Sequence, residues 1–174
     1  MGYFALQAKM HYGLSSAIPK DNPEYIKHEK FMQMFGEDGT MLVVGFSKEN
    51  IFEPVFFKSL TAWQKKLKSI EGVTNILSVP SSVMVKKAGS DSTAKLVSEP
   101  VFADNKDFDS SVVTFLNLPF YNHLLYNSAT HANLVAVYLD GKMVKSIARI
   151  ALISQIREVS QQFAKENNIE VHFS

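Results

Sequence analysis

Cysteine is absent from the 174 residues, which excludes disulfides, thiolate nucleophiles and cysteine-ligated zinc or iron–sulfur centres together. At this length the compartment stays open, because a hydrophobic core can replace the disulfide staples that smaller secreted domains need. An excess of one charge is missing too: 18 Lys+Arg face 17 Asp+Glu, a formal charge of +1. Nor do five basic residues run together anywhere. Without that electrostatic footprint for neutralising phosphates, nucleic acid is set aside as a partner. A membrane-spanning run is also lacking. Residues 110–139 carry no Asp, Glu, Lys or Arg, but Asn117, Pro119, Asn122, His123, Asn127, Ser128, Thr130, His131 and Asn133 interrupt the stretch, and each is expensive in hydrocarbon. At the start, Lys9 follows Tyr3-Phe4-Ala5-Leu6 too soon for the hydrophobic region of a signal peptide. The chain as given reads as soluble.

What is present is core material, with 46% hydrophobic residues. Residues 1–40 read as a lead-in in which Pro23 opens a short helix burying Tyr25, Ile26, Phe31, Met32 and Phe35, ended by Gly36. Met41 to Phe46 is an apolar run of strand length, suited to the middle of a sheet. Phe56, Leu60, Trp63, Leu67 and Ile70 then draw one apolar stripe down a helix opened by Pro54, with Lys65, Lys66 and Lys68 off the stripe and Gly72 beyond its end. Val73, Ile76, Leu77 and Val79, with Val83, Met84 and Val85, form a second strand, or one interrupted near Pro80. Residues 86–109 are polar and read as exposed loops, opening an insertion over 86–131 in which the aromatic segment 115–126 forms one or two helical turns. Ala132 to Leu139 is a strand of β-branched and aromatic type closed by an Asp140-Gly141 turn. Leu152, Ile156, Val159 and Phe163 mark a helix from about Ser146 to Asn167, and Ile169 to Phe173 alternates as a closing strand. The order βαβ, insertion, βαβ over 41–174 predicts an α+β domain of the ferredoxin-like split βαβ kind.

Catalytic and metal signatures are sparse. The histidines at 11, 28, 123, 131 and 172 form no HxH, HxxH or HExxH pattern, since Met32 stands where a second zinc histidine would follow His28-Glu29. No GxSxG elbow follows a strand, and Ser81-Ser82 and Ser110-Ser111 lack an oxyanion setting in the predicted elements. Gly36-Glu37-Asp38-Gly39 lacks the lysine of a phosphate cradle and carries two carboxylates that would repel the ligand. Ser47-Lys48-Glu49-Asn50 after the first strand has no arginine for a phosphate-binding loop. No catalytic residue, metal or cofactor is therefore assigned. Most aromatics fall on core-facing stripes, but Phe115, Phe120, Tyr121 and Tyr126 lie in an irregular segment and are the candidates for contact with an apolar ligand or a neighbouring domain.

The succession Leu14-Ser15, Ile18-Pro19-Lys20-Asp21, Phe35-Gly36-Glu37-Asp38, Met41-Leu42-Val43-Val44, Ile51-Phe52 and Ile70-Glu71-Gly72-Val73, ending in Ile76-Leu77-Ser78, resembles the first large extracytoplasmic loop of RND-superfamily exporters. The similarity is greatest to the hydrophobe-exporting, MMPL-like branch. Leu118-Pro119-Phe120-Tyr121-Asn122-His123-Leu124-Leu125-Tyr126-Asn127, followed by Ala132 to Leu139, is similar to that loop's second half, so the resemblance covers essentially the whole chain. It implies a porter domain on the periplasmic side of the bacterial cytoplasmic membrane, non-enzymatic by itself. The parent would be a proton-driven exporter of lipids or other hydrophobic molecules. Its partners would be the membrane helices and the second porter loop of the same parent chain, and its proton relay would lie in membrane helices outside this sequence. Residues 3–8 would then be the outer end of the first membrane helix, Met1 an artificial start, and the segment after Ser174 the way into the second helix. The substrate and the oligomeric state stay open. The rival expectation is a free-standing ferredoxin-like module that binds a small ligand and regulates. Such modules are usually about half this length, which leaves the insertion unexplained.

Overall fold

The computed structural model describes residues 40–88, 95–121 and 124–174. Contacts divide the chain into two units, Met1–Asp38 and Gly39–Ser174. The first lies outside the described residues, and with it the helix read from Tyr25 to Phe35 and the Gly36–Gly39 turn. Within the second, the described residues form seven strands and four helices of an α+β fold.

β1 (Met41–Ser47) and β6 (Ala132–Leu139) pair antiparallel at the centre of the main sheet, with Val44 opposite Val135 and Phe46 opposite Asn133. Because strand side chains alternate faces, this register puts Val44, Phe46, Asn133, Val135 and Val137 on one side, and all are buried. β2 (Val73–Leu77) flanks β6, and β7 (Val171–Phe173) flanks β1, giving the order β2-β6-β1-β7. The short β5 (Tyr126–Asn127) pairs with the start of β6. Every pairing is antiparallel. It follows that β1 and β2 run the same way with β6 between them, and β6 and β7 run the same way with β1 between them. Each such pair is joined by a helical crossover, as parallel strands require.

The first crossover is α1 (Pro54–Lys68), with proline in its first turn and Lys65, Lys66 and Lys68 in its last, where cations favour the helix dipole. Its buried residues are Phe56, Phe57, Leu60, Trp63 and Leu67, the predicted stripe with Phe57 added and Ile70, half-buried, left beyond the helix end. The second crossover, α4 (Ala148–Asn167), buries Leu152, Ile156, Ser160, Phe163 and Ala164 and ends at Asn168 in the left-handed conformation, φ 51°. The two helices meet where Trp63 and Phe163 stack with ring centroids 4.5 Å apart. Phe46 of β1 lies under both, 6.3 Å from Trp63 and 6.0 Å from Phe163. The opposite sheet face carries Met41, Val43, Gly45, Leu134, Ala136 and Tyr138 by the same alternation. Met41 is 50% exposed there.

Three readings are corrected. Residues 86–109 are not loops: β3 (Val83–Ala88) and β4 (Lys95–Pro100) pair in register as a hairpin, so the strand beginning at Val73 does stop near Pro80. A two-stranded hairpin is marginal alone, and this one is held by tertiary contacts. The Tyr121 hydroxyl accepts from Val83 N–H at 3.0 Å and donates to Val83 C=O at 2.9 Å. Val101 N–H donates to Ser82 C=O, and Glu99 bridges Lys86 and Lys106. Next, the helix of the aromatic region begins earlier than read. In α2 (Phe108–Leu116), Asp107 caps the N-terminus by accepting from Ser110 N–H, while Ser111 and Phe115, four apart, are buried. Finally, Asp140 does not close a simple turn. Its Oδ1 accepts from Lys142 N–H and Met143 N–H and so caps a one-turn helix, α3 (Gly141–Val144).

Candidate functional site

The four aromatics singled out from sequence do not share one surface. Phe115 is buried, stacked on Tyr121 at 5.7 Å and tilted against Phe52 at 5.9 Å. Tyr121 is buried and clamps the hairpin through its hydroxyl. Tyr126 is half-buried, edge-on to Phe52 at 5.4 Å. Phe120 alone is open, at 69% exposure, resting edge-on against Tyr121. These rings extend the core beneath the connection 78–131, leaving Phe120 as the exposed contact candidate. His123 lies outside the described residues. His131 adopts φ 56° and its carbonyl accepts from Lys48 N–H and Asn133 Nδ2. Among the described residues no three His, Asp or Glu side chains converge to hold a metal, and no helix is long and apolar enough to cross a membrane.

A concave site arises elsewhere. The segment between β4 and α2 folds back over α1 and leaves a cleft of about 470 Å³ lined by Phe57, Lys58, Thr61, Ala62 and Lys65 of α1 and by Pro80, Phe102, Ala103, Asp104, Lys106 and Phe108. Its size is within the roughly 300–1,000 Å³ of small-molecule sites. Phe57 is the anchor. Its ring centroid is 4.7 Å from that of Phe102 and 4.9 Å from that of Phe108, so three rings from two parts of the chain make an apolar floor. Lys58 and Lys65 stand exposed on the rim. Seven positions apart, they fall two helical turns and about 10 Å from each other on one face of α1. Neither forms an ion pair with another described residue.

The far wall is pinned by charge. Lys106 Nζ donates to Pro100 C=O at 2.7 Å and lies 2.6 Å from Glu99 Oε1, while Lys86 meets the other carboxylate oxygen at 2.8 Å. Hydrogen bonds from Lys106 first and Lys86 second pull the Glu99 carboxyl down to about 2. Asp107 is lowered as well, by the Ser110 N–H and then the Ser110 hydroxyl. No family model matches the chain, and no curated protein matches it.

Sequence reasoning missed this site for a local reason. Lys65 reads as a solvated helix residue, and Phe57 stands one position off the main stripe. The available signal was Phe57 with Thr61, four apart, a second stripe beside the first. Which segment would cover that stripe was not written in the spacing.

Proposed function

We propose that this chain is the ferredoxin-like porter domain of an RND-type, MMPL-like exporter of lipids or other hydrophobic molecules, contributing a surface to the substrate path and performing no catalysis itself. The observation that carries this reading is the order β2-β6-β1-β7 with two helical crossovers. Two interlocked pairs of crossover-joined strands are what a split βαβ fold would require, and the order supports the reading on that ground. A long connection over 78–131 separates the halves, matching the place of the second-half motif in the resemblance. The sheet face bearing Met41, Val43, Leu134 and Ala136 is apolar and turned away from both helices. In this reading it faces the second porter loop of the parent, and Phe120 offers an exposed ring toward substrate. The domain sits on the periplasmic side of the cytoplasmic membrane.

The test is to read the gene outward from both ends of this segment and take a hydropathy profile with a window of about 19 residues. The expected result is an apolar span of about 20 residues ending near Gly2, several spans after Ser174, and a second soluble loop of similar pattern. A reading frame that opens at Met1 and stops after Ser174 would overturn the exporter reading in favour of a ligand-binding module.

A further inference from the structure

We propose that the cleft between α1 and the β4–α2 segment binds a single-chain anionic amphiphile, its apolar body on Phe57, Phe102 and Phe108 and its anionic head between Lys58 and Lys65. Identifying such a molecule as exported cargo rests on the exporter reading, whereas its binding does not. Three observations carry the assignment. The floor is aromatic, with Phe57 within 5 Å of two further rings, and it rewards an apolar chain by removing it from water. The rim is cationic. Three lysines line the cleft against one carboxylate, Asp104; Lys106 shares Glu99 with Lys86, while Lys58 and Lys65 pair with no other described residue, so the rim stays net positive with Asp104 counted. Their spacing along one helix face sets the head at one side of the floor, where the flexible lysine stems can follow it.

This arrangement discriminates by charge. An amphiphilic cation meets like charge at the rim, and a neutral one gains only the floor. A polyanion such as nucleic acid would find Lys58 and Lys65, the two cleft lysines with no ion pair among the described residues, far short of the row it needs. The cleft's volume of about 470 Å³ suits a single amphiphile chain better than a bilayer surface.

The experiment is calorimetric titration of the full 174-residue chain with decanoate, below the concentration at which it forms micelles. The matched probes are decyltrimethylammonium, the neutral octyl glucoside and anionic phosphatidylglycerol vesicles. Saturable one-to-one binding of decanoate is expected, weakening as salt is added. The double variant Lys58→Glu/Lys65→Glu, both at exposed positions, should lose about tenfold in affinity, two screened contacts' worth. Ala62→Leu, an exposed cleft-lining change, should fill the floor and also weaken binding. Retention of the wild-type far-ultraviolet spectrum and Trp63 emission separates these effects from misfolding. The proposal is overturned if decanoate does not bind, if the cation or the glucoside binds as tightly, if the charge-reversed variant binds like the parent, or if only the vesicles bind. Any of these outcomes leaves the exporter reading standing, because the hydropathy of the flanking gene decides that separately.

Discussion

Replacing Tyr121 by Phe removes one oxygen and leaves the ring. The ring is 5% exposed and stacked on Phe115, so its packing survives the change. Two hydrogen bonds vanish, from Val83 N–H at 3.0 Å and to Val83 C=O at 2.9 Å. Each is worth about 1 kcal/mol net, which sets a ceiling near 2 kcal/mol before the cost of orphaned partners. That further cost is limited, because the bonds are only partly buried and Val83 is 41% exposed as a residue. The expected loss is about 1–2 kcal/mol. In urea, with a slope of about 2 kcal/mol per molar, the middle of the range for small domains, the midpoint should fall by roughly 0.5–1 M. Trp63, the only tryptophan and buried between α1 and α4, reports the transition. Hydrogen exchange at the Val83 amide should accelerate more than at Val44, because the hairpin loses its tie before the sheet opens. Tyr121→Ala should cost about 3–5 kcal/mol, the additional loss being the ring's burial. An unchanged midpoint together with unchanged Val83 exchange would refute the claim that this hydroxyl ties the hairpin to the domain.

The other predictions concern different parts of the fold. Gly72→Ala should destabilise by about 1–3 kcal/mol in thermal melts: Gly72 has φ +94°, and an added Cβ would lie 2.6 Å from Met143 Sδ. A neutral or stabilising result would show that the turn relaxes. Phe163→Ala removes the ring stacked at 4.5 Å on Trp63 and should cost about 3–5 kcal/mol. It should also shift the Trp63 emission, and a loss below about 1 kcal/mol would mean the two helices repack freely. Glu99 has its carboxyl lowered from 4.5 to about 2 by Lys106 and Lys86, so the unfolded chain binds its proton more readily than the folded one. Its contribution is complete above pH 4.5 and is lost as the pH falls towards 2. The stability difference between wild type and Glu99→Gln should accordingly shrink across that window, and a difference constant through it would count against the bridge. Asp140→Ala should cost about 1 kcal/mol by uncapping α3, whereas Asp140→Asn should be nearly neutral.

How much could be read in advance depended on how local the cause was. The stripe from Phe56 to Leu67 and the alternation from Asn133 to Leu139 announce a helix and a strand, because the period of apolar residues is a property of neighbours in the chain. Pro54 and Asn168 mark helix limits for equally local reasons. By contrast, Val83 to Val85 read as a strand, but Lys86–Ala88 and Lys95–Pro100 looked like loops, since Lys86, Lys87 and Glu99 dilute their apolar content. What makes them strands is pairing with each other and the clamp from Tyr121, 38 positions beyond Val83. Asp140 illustrates the intermediate case: it was visible as a turn former, yet whether its side-chain oxygen caps a helix depends on where the following amides point. The absence of cysteine, the balanced charge and the two βα periodicities are fixed by composition and spacing alone, and they bound the chemistry. The strand order, the burial of Phe115 and Tyr121, and the cleft that Phe102 and Phe108 complete over Phe57 come only from tertiary structure. Hydrophobic attraction has no direction in the chain, so which apolar face covers which is decided when all of them are packed at once.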